Sequence, residues 1–365
     1  MSDSESSNQS TATIFDLRNK HGIYGALSEQ LMNLPAGDCL AQATYNQDFM
    51  HQINAHTGNF AYVQPSSGIE YESIIMGQIA GDEKIRACGT HYAGTMNNPR
   101  PITDKTPVKS MFSLCKPEGS PKELAVIFDN QLATLSEVTL AREEEATTKG
   151  KTFDVRDWVD IDLINIHTEA MYAVPKNANN LKSSKRARIL KQNVIGTEVK
   201  DEKKNVDRDT EMSDMSLDLP ATENTASQER MTNDFYDPQI LSDYKGQLYQ
   251  HNESRLRQLD IRDVDNALIH PTKWYSKLRR GALVLVNGTL HTFTMEDNRR
   301  IYHIHAHTIR ILDDSDLPME PRMLVTLPGE NTSEGYGSKH SMGASRIAEF
   351  KVVGKRRRDE GKDSE

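Results

Sequence analysis

Gly281-Ala-Leu-Val-Leu-Val-Asn-Gly-Thr-Leu-His-Thr-Phe293, followed after a polar turn by Arg299-Arg-Ile-Tyr-His-Ile-His-Ala-His-Thr-Ile-Arg-Ile-Leu312, is the stretch that decides the fold. Both halves alternate with a period of two, so successive side chains point to opposite faces of a strand. In the first half Val284, Val286, Gly288 and Leu290 share one face. Leu285, Asn287, Thr289, His291 and Phe293 share the other. The spacing predicts strands over Ala282–Thr294 and Arg299–Leu312, joined at Met295–Asn298 as a long hairpin. The small apolar face suits the interior of a closed barrel. Gly288 in mid-strand marks a bend or bulge. In the returning strand the apolar phase of Tyr302, Ile304 and Ala306 switches to Ile309 and Ile311, which predicts a bulge between Ala306 and Ile309.

Working upstream, Gln247–Tyr249, Leu256–Arg262 and Ala267–Ile269 read as short strands separated by turn residues such as Asn252 and Asp265–Asn266. Pro271–Leu278 reads as a short helix with its proline at the start, ended by Gly281. Trp274 and Tyr275 on that helix read as core. Strands, a short helix, then a long hairpin is the order of the oligonucleotide-binding (OB) fold, a five-stranded Greek-key barrel. Residues 234–326 are therefore expected to form a mainly β, OB-like domain.

The rest of the chain divides by composition. Between Ala173 and Asp234 there is no Phe, Trp or Tyr, and the segment carries lysine-rich and acidic runs. Such a stretch cannot bury enough apolar surface to offset the entropy of ordering, so 173–233 is expected to be a disordered linker. Residues 1–13 and 327–365 read as disordered termini, the latter with a basic and an acidic part. Residues 14–172 read as an α+β region. In it Ile23–Met32 and Leu135–Thr148 have helical spacing, and Tyr71–Ile79, Glu123–Phe128 and Lys151–Ile166 look like strands. No apolar run approaches the roughly 18 residues needed to cross a bilayer, so no membrane partner is expected. Cys39, Cys88 and Cys115 fit no metal-binding spacing, which suits a reducing compartment. The chain has no Gly-rich phosphate loop, nucleophile elbow or paired catalytic carboxylates, so neither enzyme activity nor a cofactor is expected.

The string Gly281–Phe293, with the basic pair Arg299–Arg300 and the ending Ile309-Arg-Ile-Leu-Asp-Asp314, resembles the last two strands of the OB domain in the middle subunit of replication protein A and its telomere-capping relatives. Leu259-Asp-Ile-Arg-Asp263 is similar to that family's third strand. The resemblance implies that Phe293 stacks on a base of single-stranded DNA. The family's second stacking aromatic is replaced here by Val264. Phe153-Asp-Val-Arg-Asp-Trp-Val-Asp160 echoes the same third-strand motif and does carry an aromatic, Trp158, which would fit a second OB-like unit in the N-terminal region.

A single-strand binder needs positive charge along the phosphates and flat side chains for the bases. The chain's net charge is −9, yet residues 244–312 hold eleven Lys and Arg against six Asp and Glu, a net of +5. The expected groove is lined by Phe293, Tyr302, His303, Arg299, Arg300 and His291, with Arg262, Lys273 and Arg280 as further cations. The partner is single-stranded nucleic acid, DNA before RNA, in replication, repair or telomere maintenance. The alternative is a scaffold whose barrel docks a partner protein. A second alternative use, for His303, His305 and His307, is a metal site, because alternate histidines on one strand project together. Finally, Lys182, Lys185, Arg186, Arg188 and Lys191, and again Lys355, Arg356, Arg357 and Arg358, form basic strings typical of nuclear-import signals, which predicts a nuclear protein.

Overall fold

The computed structural model describes residues 13–53, 59–81, 84–175, 231–232, 234–322 and 324–330. All the elements named below belong to the unit Met1–Pro328. In chain order its first part contains helices α1 (Ile14–Lys20) and α2 (Ile23–Met32), then strands β1 (Met50–Ile53), β2 (Phe60–Val63), β3 (Glu72–Gly81), β4 (Gly94–Thr95), β5 (Asn98–Pro99), β6 (Ile102–Thr103) and β7 (Lys109–Cys115). Helix α3 (Lys122–Thr148) follows, with β8 (Asp154–Arg156), β9 (Val159–Asp160), β10 (Leu163–Ala170) and β11 (Tyr172–Ala173). The last part holds β12 (Phe235–Tyr236), β13 (Tyr249–Gln250), β14 (Arg255–Arg257), β15 (Asp260–Arg262), β16 (Leu283–Thr294) and β17 (Arg299–Asp313).

The expected hairpin is β16 and β17, paired antiparallel from Leu283↔Asp313 to Thr294↔Arg300. Its register shifts between Asn287↔Thr308 and Gly288↔Ala306, leaving His307 as the extra residue. That is the bulge which the phase switch predicts. Val284, Val286, Leu290, Ile304 and Ile311 are all fully buried.

The hairpin closes a five-stranded ring, but not with the strands just upstream of it. β16 pairs antiparallel with β3, β3 with β7, and β7 with β10. β10 then runs parallel to β17, which returns to β16. Three of the five strands come from residues 14–172, so segment 234–326 does not complete a ring by itself. The N-terminal region, in turn, supplies strands to this ring, and among its described residues no second ring closes. Of the upstream candidates, β14 joins β11 and β12 in a separate small sheet, β13 pairs with β6, and Ala267–Ile269 contributes only a bridge from Leu268 to Arg262. These segments are two or three residues long. The strands that close the ring, β3, β7 and β10, run to between seven and ten residues, β7 alternating throughout and β3 and β10 over part of their length.

Both copies of the third-strand motif lie along one edge of β17. Asp154–Arg156 pairs parallel with Arg299–Ile301, Ile166–Thr168 with Ile304–Ala306, and Asp260–Arg262 with Thr308–Arg310. Three segments thus occupy successive lengths of the edge on which a single third strand is expected.

Two other expectations change. Glu123–Phe128 is the start of α3 and not a strand. Its apolar residues continue at helical spacing through Leu124, Ile127, Phe128, Leu135 and Val138, all buried. A six-residue window cannot distinguish the two periods. Lys151–Ile166 breaks into β8, β9 and β10, with Ile161 at φ +58° in the turn before β10. Helix α3 seals the gap where β3 and β7 diverge. The Gln131 amide accepts from the Met76 N–H at 2.8 Å and donates to the Met76 carbonyl at 3.0 Å, satisfying a buried backbone edge that β7 does not reach. Trp274 and Tyr275 are buried as expected. Among the described residues no helix is long and apolar enough to cross a membrane. Of the expected linker 173–233, Ala173 ends strand β11 and residues 176–230 lie outside the described residues, as do the segment from 331 and both basic strings.

Candidate nucleic-acid interface

Alternation fixes what the ring shows on its outside. Since Ile164, Ile166, Phe112, Leu114, Leu290 and Ile304 fill the interior, their strand neighbours face outward. Cross-strand pairing brings those neighbours together. His291 lies opposite His303, Thr289 opposite His305, His167 beside His305, Met111 opposite His167, and Ser113 opposite Asn165.

The result is a strip of rings on one face. His167 stacks on His303 with centroids 4.0 Å apart and planes 21° from parallel. His291 lies 4.4 Å from His305. Phe293 closes the strip at 5.5 Å from His303 and 5.8 Å from His305. Thr289 Oγ1 is 3.0 Å from Nε2 of both His291 and His307. Lys109 Nζ donates to Nε2 of His305 at 3.1 Å. His307 also meets Glu169, which is ion-paired with Arg257.

The imidazoles of His167, His291, His303 and His305 are held neutral. Burial, with neighbouring His303 and Lys109, pushes His167 down to about 3, and burial with Lys109 pushes His291 and His303 to about 4. His305 is depressed for the same reasons. A neutral imidazole keeps a flat π-face and adds no charge repulsion to a crowded strip. Among the described residues no three His, Cys, Asp or Glu side chains are arranged to hold a metal ion. At His305 the coordinating nitrogen already accepts from the Lys109 ammonium, which would repel a cation.

The structure brings Phe293, His291 and His303 together and adds Lys109 and His167 to them. It places the other expected groove residues elsewhere. Tyr302 points inward, fully buried, and its hydroxyl donates to Glu143 Oε1 at 2.6 Å. Arg300 is buried too, paired with Glu143 at 2.8 Å and lying over the Phe153 ring. Arg299 and Arg262 pair with their own neighbours, Asp297 and Asp260. Arg280 lines an open cleft of about 1100 Å³ at the opposite end of β16, and Lys273 lies on the short helix just before it. Ten strand steps of ~3.3 Å from Leu283 put that end up to roughly 33 Å from Phe293. Trp158 is core: it donates from Nε1 to the Leu135 carbonyl at 3.0 Å and packs edge-on against Tyr302.

No family model matches the sequence, and no curated protein matches it. A solved structure, gp2.5, a single-stranded DNA binding protein encoded by bacteriophage T7, is similar over 69% of this chain and 99% of its own, with a TM-score of 0.29 and 9% identity. A likeness at that level fixes neither fold nor function.

Proposed function

We propose that this protein binds single-stranded DNA, without catalysis, across the outer face of its five-stranded ring, and that the ring is an OB barrel. The connectivity supports the barrel: β3, β7, β10, β17 and β16 follow one another around the ring with a single parallel pair, β10 with β17. One observation carries the binding reading. Five rings, His167, His291, Phe293, His303 and His305, lie side by side on one face with Lys109 among them. Every base has a π-face, so a strip of neutral rings beside a cation suits a single strand whatever its sequence. The kinship with the middle subunit of replication protein A, and a place in replication, repair or telomere maintenance, rest on the strings Gly281–Phe293 and Ile309–Asp314. Nuclear location rests on the two basic strings.

The test is fluorescence anisotropy of labelled oligonucleotides with the full chain at two salt concentrations. Single-stranded DNA is expected to bind, more weakly at high salt, because phosphate contacts release counterions. Phe293→Ala should weaken binding by about 1–3 kcal/mol with the circular dichroism spectrum unchanged. Absence of binding at low salt would instead favour a ring that docks a protein. Unchanged affinity in the variant would remove Phe293 from the site.

A further inference from the structure

We infer that Lys109, held in place by His305, is an anion-binding residue whose ligand is a backbone phosphate of the bound strand. The inference deepens the reading just proposed and rests on it only for the identity of the phosphate.

Lys109 lacks the carboxylate partner that several buried or half-buried arginines of this fold have. Arg18 pairs with Asp313, Arg257 with Glu169, Arg262 with Asp260, and Arg300 with Glu143. Lys109 is half-buried and, among the described residues, has no carboxylate within ion-pair distance. The ammonium's one hydrogen-bond partner there is Nε2 of His305. Two acids beside the strip have partners of their own. Glu169 is engaged by Arg257 and His307, and Glu70 stands against His291. A desolvated charge without a counter-ion is costly, and such a group is retained where a ligand supplies the opposite charge.

His305 sets the geometry. Its Nε2 can accept from the ammonium only while unprotonated, so the ring proton sits on Nδ1. The ammonium spends one of its three donors on that nitrogen and keeps two for acceptor oxygens. A second unsatisfied polar atom lies on the same strip. Nδ1 of His167, on the strand between those of Lys109 and His305, has no hydrogen-bond partner among the described residues, although the side chain is only 9% exposed. Lys109 is two residues from Met111, the cross-strand partner of His167. A phosphate beside base-stacking rings is what a strand laid along this strip would present, with the ammonium as a point charge toward it.

The experiment compares the full-length wild type with Lys109→Met and Lys109→Arg, each checked for fold by circular dichroism. Oligothymidylate affinity is measured over a range of salt, and thermal midpoints are measured with and without inorganic pyrophosphate. Loss of one phosphate contact should make the plot of log K against log salt shallower by about 0.7 in Lys109→Met. Lys109→Arg should retain the wild-type slope. Pyrophosphate should raise the midpoint of the wild type and leave that of Lys109→Met unmoved. A Lys109→Met protein that binds DNA with an unchanged slope overturns the role of Lys109 while nucleic-acid binding stands. Pyrophosphate stabilisation that needs Lys109, in a wild type that binds no oligonucleotide, would keep the anion site and overturn its assignment to a nucleic-acid strand. Equal pyrophosphate shifts in both proteins, without DNA binding, overturn both.

Discussion

Gly288 sits where β16 and β17 change register, and the bulge reasoning stands or falls on what a methyl group would do there. A Cβ at Gly288 would lie 2.6 Å from the His305 carbonyl oxygen and 3.2 Å from its carbon. Ordinary contacts begin near ~3.4 Å, so the first overlap is roughly 0.8 Å. The obstacle is backbone, and it is pinned from both sides, since His305 pairs with Thr289 on β16 and with His167 on β10. Relief therefore means spreading two strands of a closed ring, weakening adjacent ladder bonds worth about 1 kcal/mol each. Overpacking of this kind costs about 1–3 kcal/mol. Alanine recovers about 0.4–1 kcal/mol by restricting the unfolded chain. Gly288→Ala should accordingly destabilise the protein by about 1–2 kcal/mol. Urea unfolding followed by the fluorescence of Trp158 and Trp274, both buried, reads this as a lower midpoint at unchanged slope. Gly25→Ala is the control. It lies on the exposed side of α2 with nothing within 4 Å of the added carbon, and should stabilise by up to about 1 kcal/mol. A Gly288→Ala protein as stable as the wild type would refute the close approach at the bulge.

Two further outcomes follow from the ring and its neutral histidines. A fragment of residues 234–322 should fail to fold alone, because β16 lacks β3 and β17 lacks β10. Its NMR spectrum should be poorly dispersed, and should sharpen into a dispersed one when the fragment 13–175 is supplied; dispersion in isolation would contradict the shared ring. The folded protein keeps His167, His291 and His303 neutral down to about 3–4, whereas an unfolded chain takes up their protons near 6.5. Their stability contribution is therefore complete above about pH 6.5 and falls as pH drops toward those values, by about 1–2 kcal/mol per imidazole between pH 7 and 5. Thermal midpoints over that range should fall less steeply in His167→Gln than in the wild type, and parallel curves would count against a buried neutral His167.

What the sequence made legible was local. The hairpin, its bulge, the short helix and the inward face of β16 all follow from alternation and turn chemistry within some thirty residues. Ring closure does not, because β3 and β10 pair with the hairpin across more than a hundred residues, with β7 between them, and period-two patterns carry no information about partners. For the same reason Lys109 and His167 were invisible as site residues: each is unremarkable in its own strand, and only pairing places it beside His305. The histidines at 291, 303 and 305 were legible because they share one hairpin. Tyr302 and Arg300 are a different case. The phase that sends Ile304 inward sends residues 302 and 300 with it, so their burial was already implied by spacing, and chemical type alone had placed them in the groove. Glu123–Phe128 shows the remaining weakness, a window too short to separate helical from extended spacing until Leu135 and Val138 are added.

The central claim is that the outer strip of imidazoles and Phe293 is the binding surface. The most direct measurement is the nitrogen-edited NMR spectrum of the histidine side chains during titration with an unstructured single-stranded oligonucleotide. The account predicts that signals of His167, His291, His303 and His305 move together to saturation, while His21, at the exposed C-terminal end of α1, stays still. Saturating DNA that leaves the strip's signals in place, or moves others instead, would contradict it.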